Sequence, residues 1–129
     1  MELDFNSEKT IFQQIADWLE DSILSGAFPE ESQIPSTTEF SVLYKINPAT
    51  ALKGINLLVD EGVVYKKRGV GMFVATGAVE KLRAKRKESF YDHFVASMIG
   101  EAKRLGMSRE ELAALIDRGF AQEQKEETL

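Results

Sequence analysis

The sequence predicts an α+β chain that is mostly helical, with three helices, a β-hairpin and then two further helices. Three observations lead to this. Apolar residues recur at spacings of three and four over 11–24 and again over 48–61, as they do on helices that bury one stripe. Val63-Val64-Tyr65-Lys66 and Met72-Phe73-Val74 are short β-rich runs on either side of a glycine-bearing loop. From Val79 onward the spacing turns helical again.

In the first helix Ile11, Ile15, Trp18, Leu19 and Ile23 form the stripe, and Gly26 supplies the stop. Phe12 and Trp18 lie on or beside that stripe, so core packing is expected of them rather than ligand stacking. Ser36 followed three residues later by Glu39 is a capping box, which opens a second, short helix with Phe40, Leu43 and Tyr44 on its apolar side. That helix must end by Ile46, because Pro48 disfavours a helical conformation at Asn47. Asn47 is a good N-cap and Pro48 a good first residue, so a third helix starts there. Ala51, Ile55, Leu58 and Val59 face inward on it, and Gly62 closes it. Ala49, Thr50, Lys53 and Asn56 are left facing outward, with Asn47 at the positive end. Two helices joined by so short a turn form a helix-turn-helix, whose second helix lies in a major groove. For an isolated amphipathic helix the same outward strip would be a solvated face.

The hairpin carries Lys66, Lys67 and Arg68 at its tip, followed by Gly69-Val70-Gly71. Directly after a helix-turn-helix this is a wing, fit to lie along a sugar-phosphate backbone or in a minor groove. The bland alternative is an edge kept soluble by charge. The 129 residues, 43% apolar and 29% charged, suit one compact domain with an appendage. A net charge of −5 argues at first against a polyanionic partner, but the distribution of that charge points the other way. Over 45–74 the cations Lys45, Lys53, Lys66, Lys67 and Arg68 face only Asp60 and Glu61, an excess of three positive charges. Glu2, Asp4, Glu8, Asp17, Glu20, Asp21, Glu30 and Glu31 all precede that stretch.

Catalysis is not expected. No nucleophile with its base, carboxylate pair or phosphate-cradling loop is present, and Gly69-Val70-Gly71 lies between strands without the third glycine of a dinucleotide fingerprint. No cofactor and no metal are expected either, since cysteine is absent and His93 is the only histidine. With no long apolar run and an acidic, polar amino terminus, a cytoplasmic location and no membrane partner are expected.

Ile11-Phe12-Gln13-Gln14-Ile15, Ile34-Pro35-Ser36, Ile46-Asn47-Pro48-Ala49-Thr50, Leu58-Val59-Asp60-Glu61-Gly62 and Lys67-Arg68-Gly69-Val70-Gly71-Met72-Phe73-Val74 occur in that order. Together they resemble the amino-terminal reader of the GntR family of bacterial transcription regulators, over about residues 8–76. The short remainder resembles the YtrA subfamily, in which a two-helix dimerisation segment replaces a large effector domain. The resemblance implies a winged helix-turn-helix over 1–77 and a helical dimerisation segment over 78–129. It implies a homodimeric regulator, expected to be a repressor, on a palindromic operator in double-stranded DNA. The implied contacts are Ser36, Thr37 and Thr38 at the start of the second helix, Asn47, Ala49, Thr50 and Lys53 on the third, and Lys66, Lys67, Arg68 and Gly69 in the wing. Thr38 stands where the family usually has an arginine, so the operator sequence is not carried over.

In the tail, Leu82, Phe90, Tyr91, Phe94, Val95, Met98, Ile99, Ala102 and Leu105 make a broad stripe. Ser108 and Glu111 form a second capping box, ahead of Leu112, Leu115, Ile116 and Phe120. Two helices cannot cover so much apolar surface, and an isologous dimer supplies the missing partner. Phe90, Phe94, Met98, Leu112, Leu115 and Ile116 are the expected interface, with folding back onto the reader as the alternative. The basic run Lys81, Arg83, Lys85, Arg86 and Lys87 is either an extra phosphate contact or a solvated face. A small-molecule effector, where one exists, is expected between subunits or between tail and reader. The rival function is a winged helix used as a protein-interaction module, with no direct reading of an operator.

Overall fold

The computed structural model describes residues 1–127, with side-chain surroundings for residues 1–124. It divides into two compact units, Met1–Arg86 and Lys87–Leu129.

The first unit begins with helix α1 (Ile11–Leu24), capped by the Thr10 hydroxyl, which accepts from Gln13 N. Helix α2 (Thr37–Tyr44) starts at the Ser36 and Glu39 capping box, with both reciprocal bonds in place. Lys45 closes α2 in the left-handed conformation at φ 52°, which turns the chain sharply into helix α3 (Pro48–Asp60). Strands β1 (Val64–Lys67) and β2 (Gly71–Val74) pair antiparallel, from Val64 opposite Val74 to Lys67 opposite Gly71. Helix α4 (Ala78–Phe90) follows, of which the residues up to Arg86 belong to this unit.

One core joins these elements. Ile15, Leu19 and Ile23 of α1 meet Phe40 of α2, Ala51, Ile55 and Leu58 of α3, and Val63, Val64 and Val74 of the hairpin. Trp18 packs edge-on against Phe28 and Phe40, at ring-centroid distances of 5.6 and 5.8 Å, which makes it part of the core's wall. Gly54 permits the close approach of α3 to α1: a Cβ there would lie 2.7 Å from the Phe12 carbonyl oxygen. Leu43 departs from the expected pattern, because it is 68% exposed while Phe40 is fully buried. An eight-residue helix has room for little more than one inward turn, and Phe40 with the half-buried Tyr44 fills it.

The reader core also takes in Ala78 and Leu82, so Leu82 belongs to it and not to a tail stripe. The amino end of α4 is held by Glu30, whose carboxylate accepts from Gly77 N at 2.7 Å and Val79 N at 3.3 Å. Unpaired donors at a helix start are thereby satisfied from a distant loop.

The second unit contains a π-helical turn (Tyr91–Val95), where Ala96 N donates to Tyr91 O, then α5 (Ala96–Arg104) and α6 (Arg109–Glu127). The Ser108 hydroxyl accepts from Glu111 N at 3.1 Å, as its capping role requires. Among the described residues no helix is long and apolar enough to cross a membrane.

Candidate nucleic-acid interface

The outward side of α3 follows from which side is buried. Ala51, Gly54, Ile55 and Leu58 face the core, so Ala49, Leu52, Lys53 and Asn56, at spacings of three and four, are exposed. Thr50 sits at the edge of this strip and is half-buried. Lys53 does not stand free: its ammonium lies 4.1 Å from the centroid of the Phe12 ring on α1. Phe12 thus serves as a platform for a cation on the neighbouring helix.

The two helix starts differ in what they can offer an anion. At α3, Pro48 has no N–H, Ala49 N donates to the Asn47 side chain at 2.8 Å, and Thr50 N and Ala51 N donate to Asn47 O. At α2, Glu39 N and Phe40 N are taken by Ser36, while the amides of Thr37 and Thr38 have no acceptor among the described residues. Free backbone donors and helix dipole therefore coincide at Thr37 and Thr38, while Ser36 N is taken by Glu39. Asn47 orders the start of α3 and leaves no backbone donor open there.

In the wing, Lys66, Lys67, Arg68 and Gly69 are all exposed. Val70 N donates to Lys67 O at 2.9 Å, closing a tight turn in which Gly69 takes φ 78°. The Lys67 ammonium lies 5.0 Å from the Phe73 ring centroid, and Phe73 stacks on Tyr65. The preceding loop pins this hairpin in a way that no sequence pattern announces. Glu31 N donates to Val74 O, Val74 N to Ser32 O and Ile34 N to Met72 O, so residues 31–34 run along β2. The Gln33 amide donates to Val70 O at 3.1 Å, and it occupies the space that a side chain at Gly71 would need.

Glu31 sits at φ 70° and holds three donors, the Tyr65 hydroxyl at 2.6 Å, the Thr76 hydroxyl at 2.6 Å and Thr76 N at 3.1 Å. The Thr76 and Tyr65 hydroxyls favour the ionised form and hold its carboxyl below the usual glutamate range. The same bond raises the Tyr65 hydroxyl above its ordinary value.

Two cations of the basic run at the start of the tail, Lys85 and Arg86, are taken up in internal ion pairs. Lys85 bridges Glu20 and Glu61, each at 2.8 Å, and Arg86 meets Asp21 at 2.7 Å and Glu20 at 3.4 Å. Lys81 reaches Gly62 O at 3.4 Å. Glu20 is only 5% exposed, so Lys85 and Arg86 neutralise a buried carboxylate on α1. Burial works against the charge on Lys85, yet its bonds to Glu20 and Glu61 prevail and raise its pKa. Arg86 behaves likewise: burial opposes its charge, and the bonds to its acidic partners, Asp21 foremost, outweigh it.

In the second unit Phe90, Phe94, Met98, Leu115 and Ile116 are exposed and Leu112 is half-buried. Tyr91, Leu105 and Phe120 add to the exposed apolar surface. The rings of Phe90 and Phe94 lie 5.4 Å apart. His93 is exposed beside Phe94.

Comparison with known proteins agrees with this geometry. The model of the bacterial regulatory proteins of the gntR family matches residues 11–74. The chain is 31% identical over 114 residues to YhcF of Bacillus subtilis, an uncharacterized HTH-type transcriptional regulator, covering 87% of this chain and 91% of that one. It is 25% identical over 112 residues to the HTH-type transcriptional repressor YtrA of the same organism, covering 87% and 85%. Among solved structures, a transcriptional regulator of the GntR family from Bacteroides thetaiotaomicron superposes with a TM-score of 0.70 at 37% identity, over 89% of this chain and 99% of that one. From α1 through the wing and on into the helical tail, the chain belongs to the GntR family of bacterial transcription regulators.

Proposed function

We propose that the chain is a homodimeric repressor that reads a palindromic operator with two copies of its first unit, in the cytoplasm where that DNA lies. The observation that carries this is the exposed strip of α3 beside a hairpin whose tip presents Lys66, Lys67 and Arg68, in a chain of this family. The strip meets base edges, the wing cations meet phosphates or the minor groove, and the Ser36 hydroxyl with the free amides of Thr37 and Thr38 anchors a phosphate. Repression is supported by the name of YtrA, to which the chain is similar over most of its length.

The homodimer rests on the exposed apolar residues of the second unit. Phe90, Phe94, Met98, Leu115 and Ile116 are the kind of surface that a two-fold partner buries. Two readers on a two-fold axis engage half-sites about one helical turn apart, roughly 34 Å, or a multiple of it.

Selection of sites from random duplexes with the full chain should return an inverted repeat. Affinity should fall steeply with salt, and replacing Lys67 and Arg68 by alanine should flatten that slope by about two, since each phosphate contact contributes about 0.9. Sedimentation at micromolar concentration should give a dimer, and Phe90→Glu with Phe94→Glu should give a folded monomer of much weaker affinity. A chain that sediments as a monomer, or binding without sequence preference and without salt dependence, would refute the proposal in favour of a protein-interaction module.

A further inference from the structure

The outward strip of α3 holds an apolar side chain where a polar one would be expected. Leu52 is 40% exposed, one turn from Ala49 and one turn from Asn56, on the flank of the strip that lies next to the buried Ile55. Thr50, by contrast, is half-buried at the edge, and Lys53 is drawn onto the Phe12 ring. Ala49, Leu52 and Asn56 are therefore left together along one flank of the strip.

Leucine can neither donate nor accept a hydrogen bond. The one apolar feature that a base edge displays in the major groove is the C5-methyl group of thymine. Asn56, on the same strip, carries the amide that pairs in bidentate fashion with adenine. We infer that Leu52 is a specificity-determining residue that selects thymine at one position of each half-site by covering its methyl group. This rests on the reading of α3 as the groove-entering helix, and it names what that helix prefers. The contact recognises a methyl group, not a base, so 5-methylcytosine at the same position should be favoured over cytosine.

The test uses the full chain and the operator obtained by selection. Each thymine of a half-site is replaced in turn by deoxyuridine, which removes the methyl group and nothing else. For the wild type, one position should show a loss of about fourfold, the value for a single methyl group moved from apolar contact to water. Leu52→Ala should abolish the effect at that position alone, while Leu52→Met, which keeps an apolar side chain, should retain most of it. Replacing that thymine by cytosine and then by 5-methylcytosine should recover affinity in the wild type but not in Leu52→Ala. Because Leu52 is exposed, these variants should keep the wild-type circular dichroism and melting temperature. If a repeat is selected and every deoxyuridine effect is equal in the wild type and Leu52→Ala, the inference is overturned while operator reading stands. If no repeat is selected, operator reading fails and the inference with it.

Discussion

Glu20 offers a test in which removing an acid and removing its cations have different costs. Its side chain is 7% exposed, whereas Lys85 and Arg86, its partners at 2.8 and 3.4 Å, are 48% and 42% exposed. In Glu20→Ala the two cations lose one partner each but keep Glu61 and Asp21 and stay in water. Exposed pairs contribute about 0.2 to 1 kcal/mol each, and release of the carboxylate from burial offsets part of the loss, so about 1 kcal/mol is expected. In Lys85→Met with Arg86→Met the carboxylate stays on α1 without a counter-charge, and the expected cost rises to about 3 to 5 kcal/mol. Adding Glu20→Leu to that double variant should recover most of it, because an apolar cluster of similar volume replaces a buried ion pair at little cost. Urea unfolding at one fixed protein concentration measures all four proteins, with unchanged m-values as the check on two-state behaviour. Equal costs for the acid and for the cations, or no recovery in the triple variant, would show that Glu20 is hydrated and that the network does not govern its burial.

Gly54→Ala should destabilise by about 1 to 2 kcal/mol in urea: alanine gains about 1 kcal/mol of helix propensity, but a Cβ 2.7 Å from the Phe12 carbonyl forces α3 off α1 at a larger cost of overpacking. Phe12→Leu keeps apolar volume but removes the ring under Lys53, so operator affinity should fall two- to fivefold, as for about 0.5 to 1 kcal/mol, with the salt slope unchanged. Gln33→Ala removes the bond to Val70 O, so amide exchange at the wing tip should accelerate while global stability moves by less than about 0.5 kcal/mol. The folded-state pKa of Glu31 lies below its ordinary 4.5, so its contribution is present above 4.5 and lost as pH falls through the lowered value; Glu31→Gln should flatten the stability curve in that acid range only.

What could be read from the sequence was local. The ends of α1, the capping box at Ser36 and Glu39, and the Asn47-Pro48 start of α3 each depend on residues within one or two turns of each other. What could not be read depends on distant partners. Lys85 finds Glu20 across 65 residues and Gln33 finds Val70 across 37, and neither residue type signals its partner in advance. The stretch 31–34 has no alternation because it borrows its pairing from β2. Leu82 fits a tail stripe by spacing, yet the reader core has the space that it fills. Leu52 shares the spacing of Ala49 and Asn56, but an apolar residue beside a buried alanine invites assignment to the core, and only its exposure places it on the outer strip.

The same long-range pairing bears on how a chain with a net charge of −5 keeps cations without an acidic partner. Lys85 and Arg86 are paired with Glu20, Asp21 and Glu61, acids of α1 and the end of α3. Lys45, Lys53, Lys66, Lys67 and Arg68 form no ion pair among the described residues. Two of them, Lys53 and Lys67, rest instead on the rings of Phe12 and Phe73. A ring orients an ammonium without cancelling its charge, whereas a carboxylate would orient it and neutralise it. Aromatic rings thus hold Lys53 and Lys67, whereas carboxylates hold Lys85 and Arg86. The first two are held in place with their charge intact, as the proposed phosphate contact of Lys67 requires, and the other two neutralise a buried acid.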